Sequence, residues 1–141
     1  MRFHDTEIPL ETTRRFQILD ITGTVQDAVK ASGIARGLAL VRSPHTTASI
    51  RVNENEPRLH EDMERFLCDL AHPEGAWRHN LQTVDDRPNA WGHLMSLLLG
   101  GAAVLPVTEG RIDLGGWQSV FFVELDGPRA ARKAFVRVMG A

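Results

Sequence analysis

The final third of the chain is a succession of short β-forming runs separated by turn residues, and this pattern limits the fold more than any other part of the sequence. Ala102 to Val107 and Arg111 to Leu114 flank Thr108-Glu109-Gly110, which reads as a hairpin turn. Trp117 to Leu125 is long and rich in β-formers, Asp126-Gly127-Pro128 makes a turn, and Lys133 to Met139 is placed to close a sheet. Strands that follow one another through tight turns pair antiparallel. Upstream, residues 1–10 and 15–22 read as two strands, Gly37 to Val41 as a buried strand, and His45 to Asn53 as another introduced by Pro44. Only three stretches carry helical signals. Thr24-Val-Gln-Asp27 resembles a capping box, with Gly33 as the stop. Residues 57–70 repeat Leu59, Met63, Phe66, Leu67 and Leu70 at helical spacing, with Pro57 suited to the first turn. Asn89 is placed to cap Ala90 to Leu99, which is apolar nearly all round and predicted to be buried. The expectation is an α+β fold: antiparallel, sandwich-like sheets with two to three helices, in one domain spanning 1–141.

The 141 residues are 43% hydrophobic and 24% charged, a globular composition with enough apolar side chain to form a core unaided. Cys68 is the single cysteine, so no internal disulfide can form, and the first ten residues lack the apolar core of a signal peptide. The longest apolar stretch, around Leu94 to Leu105, is broken by Ser96 and Gly100-Gly101 and is too short to cross a bilayer. These features predict a cytoplasmic protein with no membrane partner. Net charge is −2 and the pI is near 6.3, with only a modest basic cluster from Arg129 to Arg137. Nucleic-acid binding draws much of its affinity from phosphate neutralisation, so no nucleic-acid partner is expected. A small phosphorylated or anionic ligand would need only one or two of these arginines.

The segment His45-Thr-Thr-Ala-Ser-Ile-Arg-Val-Asn53 is the most informative for chemistry. As a strand it puts His45, Thr47, Ser49, Arg51 and Asn53 on one face and Thr46, Ala48, Ile50 and Val52 on the other. The polar row is either a solvated sheet face or a line of ligand contacts. The segment from Ala71 to Asn89 holds Pro73, Gly75 and Pro88 with no apolar period, and loops of this length are often functional. It contains His79 and the pair Asp85-Asp86. His93 lies on the apolar helix, where its ring must find a partner. Three histidines from strand, loop and helix can form an open zinc site, although no local spacing such as HExxH is present. Asp85-Asp86 suits Mg²⁺ or a solvated turn. Gly115-Gly116 can present backbone N–H groups to an anion, or serve as a tight turn before the last long strand. Glu54 and Asp62 flank the start of the 57–70 helix, where negative charge favours the helix dipole. His4, His60 and His72 read as surface residues, and nothing marks Cys68 as a nucleophile. There is no GxSxG, Walker or GxGxxG pattern, which disfavours the common hydrolase, NTPase and dinucleotide-binding classes.

These residues also carry a family resemblance. His45-Thr-Thr-Ala-Ser, Asn53-Glu54-Asn55, Asp62-Met-Glu-Arg-Phe66, His93-Leu, Leu99-Gly100, Pro106-Val107, Gly116-Trp117-Gln118 and Asp126-Gly127-Pro128-Arg129 occur in the order found in the YjbQ family. Its members are small proteins often labelled secondary thiamine-phosphate synthases, and the similarity runs over nearly the whole chain. The resemblance implies a homotrimer with a pocket near subunit boundaries, where His45, His79 and His93 meet a divalent metal (Zn or Mg) or phosphate. It implies His45, Glu54 and Asp62 as catalytic candidates. Thr47, Gly115, Gly116 and Arg129 are the ligand-binding candidates. The activity implied joins an aminopyrimidine methyl diphosphate to a thiazole phosphate with loss of pyrophosphate. The alternatives are a non-catalytic trimer that binds a metal or phosphometabolite, and a metal-dependent hydrolase. The sequence departs from the pattern at Trp77, where Tyr is common, at Asn80, where an acid is common, at Gln82-Thr83, a frequent Glu-Gly, and at Gly116, a frequent Thr. Met95 stands where Lys or Arg is usual, an expected loss of a cation from the pocket.

Overall fold

In a computed structural model describing residues 1–141, the chain forms two antiparallel sheets and three α-helices, an α+β arrangement. The strands are β1 (Arg2–Thr12), β2 (Gln17–Asp20), β3 (Arg36–Arg42), β4 (Ala48–Glu54), β5 (Ala102–Thr108), β6 (Arg111–Ile112), β7 (Gln118–Glu124) and β8 (Arg129–Gly140). The helices are α1 (Thr22–Ser32), α2 (Pro57–Leu70) and α3 (Ala90–Leu99). A five-stranded sheet runs β1-β8-β3-β5-β6 and a three-stranded sheet runs β2-β7-β4.

The sheets face each other across one core, in which Ala39, Val41, Val136 and Val138 meet Ala48, Ile50, Val120 and Phe122, with Val25 and Val29 of α1 packed into the same cluster. A second core forms on the other face of the three-stranded sheet. There Phe121, Val123 and Leu125 pack against Leu67 of α2 and Trp91 and Met95 of α3. Both faces of β7 are therefore covered, which explains the unbroken apolar run Val120-Phe-Phe-Val. Glu124, at the end of that run, is completely buried.

Several local expectations shift. The strand expected from His45 begins at Ala48, and its polar row runs from full burial at Ser49 to exposure at Asn53, so it is only partly solvated. Helix α1 starts at Thr22 rather than Thr24. Asp20 Oδ1 accepts from the Thr22 N–H and hydroxyl at 2.9 and 2.6 Å, so an Asx turn initiates this helix in place of the capping box. Gly33 ends it in the left-handed region, at φ 62°. The 57–70 helix has its expected bounds, and the Glu56 carboxylate accepts from the Leu59 N–H at 2.6 Å. Of its apolar stripe only Leu67 is buried; Phe66 and Leu70 are exposed. Helix α3, predicted to be buried all round, exposes Leu97 and Leu98. Met95 is fully buried in the second core with Trp91 and Phe121, so this position faces that core and not a polar pocket. His60 is not a surface residue: its ring stands edge-on to Phe121 at 5.4 Å. No helix is long and apolar enough to cross a membrane.

Candidate functional site

At the Ala48 end of the three-stranded sheet, a cleft of about 460 Å³ opens between the segment before β4, the 71–89 loop, α3 and the start of β8. His45, Thr47, His79, Asp85, His93 and Arg129 all contribute to its walls, together with Asn89 and Arg132.

The floor is an ion pair that joins the two sheets. Arg132 of β8 donates to both oxygens of Glu124 of β7, from Nε at 2.8 Å and from Nη2 at 2.6 Å. Thr12 of β1 donates to the same carboxylate at 2.9 Å, as do the Leu125 and Asp126 N–H groups at 3.0 Å. The second hydrogen-bonding direction of Arg132 holds Thr47, through Oγ1 at 2.8 Å. Burial opposes ionisation of Glu124, yet the Arg132 bonds, the Asp126 N–H and Thr12 together hold its carboxyl below the usual range.

A second network sets one wall. Asp126 Oδ2 accepts from Asn89 Nδ2 at 2.7 Å and from Arg129 Nη2 at 2.6 Å, and Arg87 reaches Oδ1 at 3.3 Å. Burial again works against the charged form, but these donors keep Asp126 below its ordinary value. Because Asn89 Nδ2 is spent on Asp126, its Oδ1 faces His79 Nε2 at 3.2 Å and must accept there. In its neutral form His79 therefore carries its proton on Nε2 and presents Nδ1 as a free acceptor. Asn89 gives up helix capping to do this, and Asn80 Oδ1 takes over the Ala90 N–H at 3.0 Å. Close approach of α3 to this wall requires Gly92, since a Cβ there would lie 2.8 Å from the Leu125 carbonyl oxygen. At the same turn a Cβ on Gly127 would lie 1.9 Å from the Arg14 carbonyl oxygen.

The rings of His79 and His93 stand edge to face, 5.0 Å apart. Burial lowers the His93 pKa, and the neighbouring His79 lowers it further. His45 is likewise lowered by burial and then by Arg132. Its Nε2 accepts from the Lys133 N–H at 3.0 Å, so the neutral ring keeps its proton on Nδ1. His45 is thus a hydrogen-bond donor toward its surroundings, with its one lone pair already engaged. The three histidines do not fit a three-imidazole ion site within one chain, and no group of three His, Cys, Asp or Glu is positioned to hold a metal.

The other expected site residues lie elsewhere in the chain. Glu54 pairs with Gln118 across β4 and β7, whereas Ala48 pairs with Glu124 beside the cleft. Six residue steps separate these positions, or about 20 Å along the strand. Gly115 and Gly116 precede Gln118 at that distant end, and the Gly115 N–H is taken by the Gln118 side chain at 2.7 Å. Asp62 is exposed on α2. Among the wall and floor residues, Glu124 and Arg132 carry no site motif in the sequence, and Asn89 reads there only as a helix cap. One signal was available: a lone carboxylate in the apolar run Val120 to Leu125 has to be paired if it is buried.

Comparison with known proteins agrees with this architecture. Residues 6–141 match the family model described as UPF0047 protein YjbQ-like. A UPF0047 protein of Methanothermobacter thermautotrophicus is 44% identical over 132 residues, covering 94% of this chain and 90% of its own. The UPF0047 protein YugU of Bacillus subtilis is 37% identical over 134 residues, covering 94% and 97%. Among solved structures, a YbjQ-like protein of unknown function from Sulfolobus solfataricus superposes with a TM-score of 0.94 at 40% identity over 99% of both chains. A hypothetical protein from Aeropyrum pernix gives 0.90 at 43% identity, covering 97% of this chain and 98% of its own. The chain belongs to the UPF0047, YjbQ-like family.

Proposed function

We propose that the cleft binds the diphosphate end of a small metabolite and promotes transfer of the remaining group to a phosphorylated acceptor, a thiamine-phosphate synthase-type reaction. The observation that supports this reading is the meeting of His45, His79 and His93 with Arg129 and Arg132 around one cleft. In the reaction the thiazole nitrogen bonds to the pyrimidine methylene carbon as the C–O bond breaks, and pyrophosphate leaves with the electron pair. No protein nucleophile is required. What the step needs is fixed donors aimed at the leaving oxygens. His45 can offer its Nδ1–H and Arg129 the N–H groups not used on Asp126, while His79 Nδ1 and Thr46 can orient the acceptor. A homotrimer and a bound divalent ion, both implied by the resemblance, belong to the same proposal, although no step is assigned to the ion.

Incubating the protein with the aminopyrimidine methyl diphosphate and the thiazole phosphate, with and without Mg²⁺, is expected to yield thiamine phosphate and pyrophosphate. Product no greater than that from His45→Ala defeats the transferase reading. A second reading, ligand binding without turnover, is favoured by one specific observation: both arginines are already paired with buried carboxylates, leaving the cleft little net positive charge. Calorimetry with a panel of phosphate esters separates the two. Saturable binding without product supports the second, and no binding removes both.

A further inference from the structure

We propose that a second, apolar pocket, between the three-stranded sheet and α2, binds a small apolar monocarboxylate whose anionic end is received by Arg51. This pocket has about 230 Å³ and is walled by Phe16, Met63, Phe66 and Phe121, with Arg51 and Asn53 as its polar lining. It lies on the face of the three-stranded sheet opposite the interior that holds Glu124, and it shares no lining residue with the histidine cleft.

The argument begins with Arg51. Its guanidinium makes one hydrogen bond, from Nη2 to the Ala102 carbonyl at 3.0 Å, and its buried Nε–H has no acceptor. None of the eight ion pairs in the chain includes it. A buried donor left unmet calls for an explanation. The contrast lies within the molecule: the buried Arg132 has a bidentate carboxylate, whereas Arg51, half-buried with its Nε enclosed, has none. The other buried side-chain atoms without partners, Ser49 Oγ and His60 Nε2, belong to the same layer. Ser49 shares a strand face with Arg51, and the His60 ring touches Phe121, which pairs with Arg51 across the sheet.

The polar lining is dominated by donors. Asn53 Oδ1 already accepts from the Glu54 N–H at 2.8 Å, and its Nδ2 hydrogens join the Arg51 Nε–H among the donors of the lining. A partner must therefore accept hydrogen bonds, carry negative charge, and otherwise be apolar. Size narrows the class further. A dry cavity of about 150 Å³ holds benzene, so 230 Å³ holds on the order of nine or ten non-hydrogen atoms. A medium-chain or aryl-substituted monocarboxylic acid meets all these requirements. Phe66, a residue 63% exposed, sits where such a ligand would cover it.

The test uses octanoate and 3-phenylpropionate as probes, with their methyl esters as neutral matches, titrated calorimetrically into the full chain. The expected result is saturable binding, one acid per chain, with the ester at least tenfold weaker. Arg51→Met should weaken acid binding at least tenfold and leave ester binding unchanged. Met63→Trp, which fills the pocket from α2 without touching the polar end, should abolish both and keeps the test valid if the Arg51 variant fails to fold. Equal affinity for acid and ester, wild-type affinity in Arg51→Met, or no saturable binding by either acid overturns the proposal. Concentration-dependent self-association that Met63→Trp disrupts, without acid uptake, assigns the pocket to a second copy of the chain and overturns it equally.

Discussion

Replacing Arg132 by methionine removes the cation that holds Glu124 between the two sheets while keeping most of the side-chain length. Glu124 is completely buried and Arg132 is 6% exposed, so water cannot take the place of the guanidinium. The carboxylate would keep Thr12 and two backbone N–H groups, and lose both charge-assisted bonds. Breaking one side of such a pair costs about 3–5 kcal/mol, because the remaining charge is left buried. At roughly 3 °C per kcal/mol for a chain of this size, the melting temperature should fall by about 10–15 °C. Urea unfolding at fixed protein concentration measures the loss without screening the ion pair. Adding Glu124→Gln to Arg132→Met should recover at least about 1 kcal/mol, since the amide accepts the same N–H bonds without a charge. Acid sensitivity follows the same logic. The Glu124 pKa lies below its ordinary 4.5 in the fold, so its contribution is present above that value and lost as pH falls through the folded pKa. In Arg132→Met burial is opposed only by Thr12 and the backbone N–H groups, and the carboxyl should take up its proton at a higher pH. A loss under about 1 kcal/mol, with a double variant no better than the single one, would refute the pairing argument.

The remaining predictions concern the cleft walls. In an NMR titration the His45 and His93 rings should both protonate below the ordinary 6.5. The unfolded chain then binds protons first, so stability falls as pH drops below 6.5 and levels off under the folded values; normal titration of either ring contradicts its burial. Asn89→Ser supplies a hydroxyl to cap α3 while cutting the link from His79 to Asp126, and stability should change by no more than about 1 kcal/mol. The nitrogen shifts of His79 should move toward a mixture of tautomers, and an unchanged tautomer would show that Asn89 does not set it.

The architecture was legible because it is encoded locally. Tight turns such as Thr108-Glu109-Gly110 and the period of 57–70 fix element type without tertiary information. The hairpin forms with Glu109 at φ 52° and Gly110 at φ 73°, the left-handed pair that a two-residue loop needs. The bounds that moved depend on distant contacts. His45 to Thr47 reads as strand, yet Thr47 is drawn into the buried Arg132 network and β4 begins only after it. The histidines were visible as polar residues in unusual settings, whereas their supports were not. Asn89 reads as a helix cap, and only the three-dimensional position of Asp126 diverts its amide. Gly115-Gly116 reads as an anion site on its chemistry and Glu54 as a catalytic candidate on the family resemblance, but strand direction carries them to the opposite end of the sheet.

Departures from local rules in this chain collect in two places. Around the cleft, an asparagine forgoes its helix cap, two imidazoles pack edge to face, and a carboxylate is buried at the end of an apolar run. Every one of those departures is answered by a partner: Asn80 caps for Asn89, Asn89 orients His79, and Arg132 neutralises Glu124. Under α2 the departures are not answered, since Ser49, Arg51 and His60 each keep an unmet polar atom. Folding consistently places local preference and global structure in agreement, with exceptions gathering at functional sites. A fully connected network implies a rigid surface built before any ligand arrives. Unmet donors beside an apolar cavity imply the reverse, a surface completed by something from outside. The two regions therefore differ in physical kind: binding in the cleft should cost little reorganisation, while occupancy of the pocket should stabilise the fold itself.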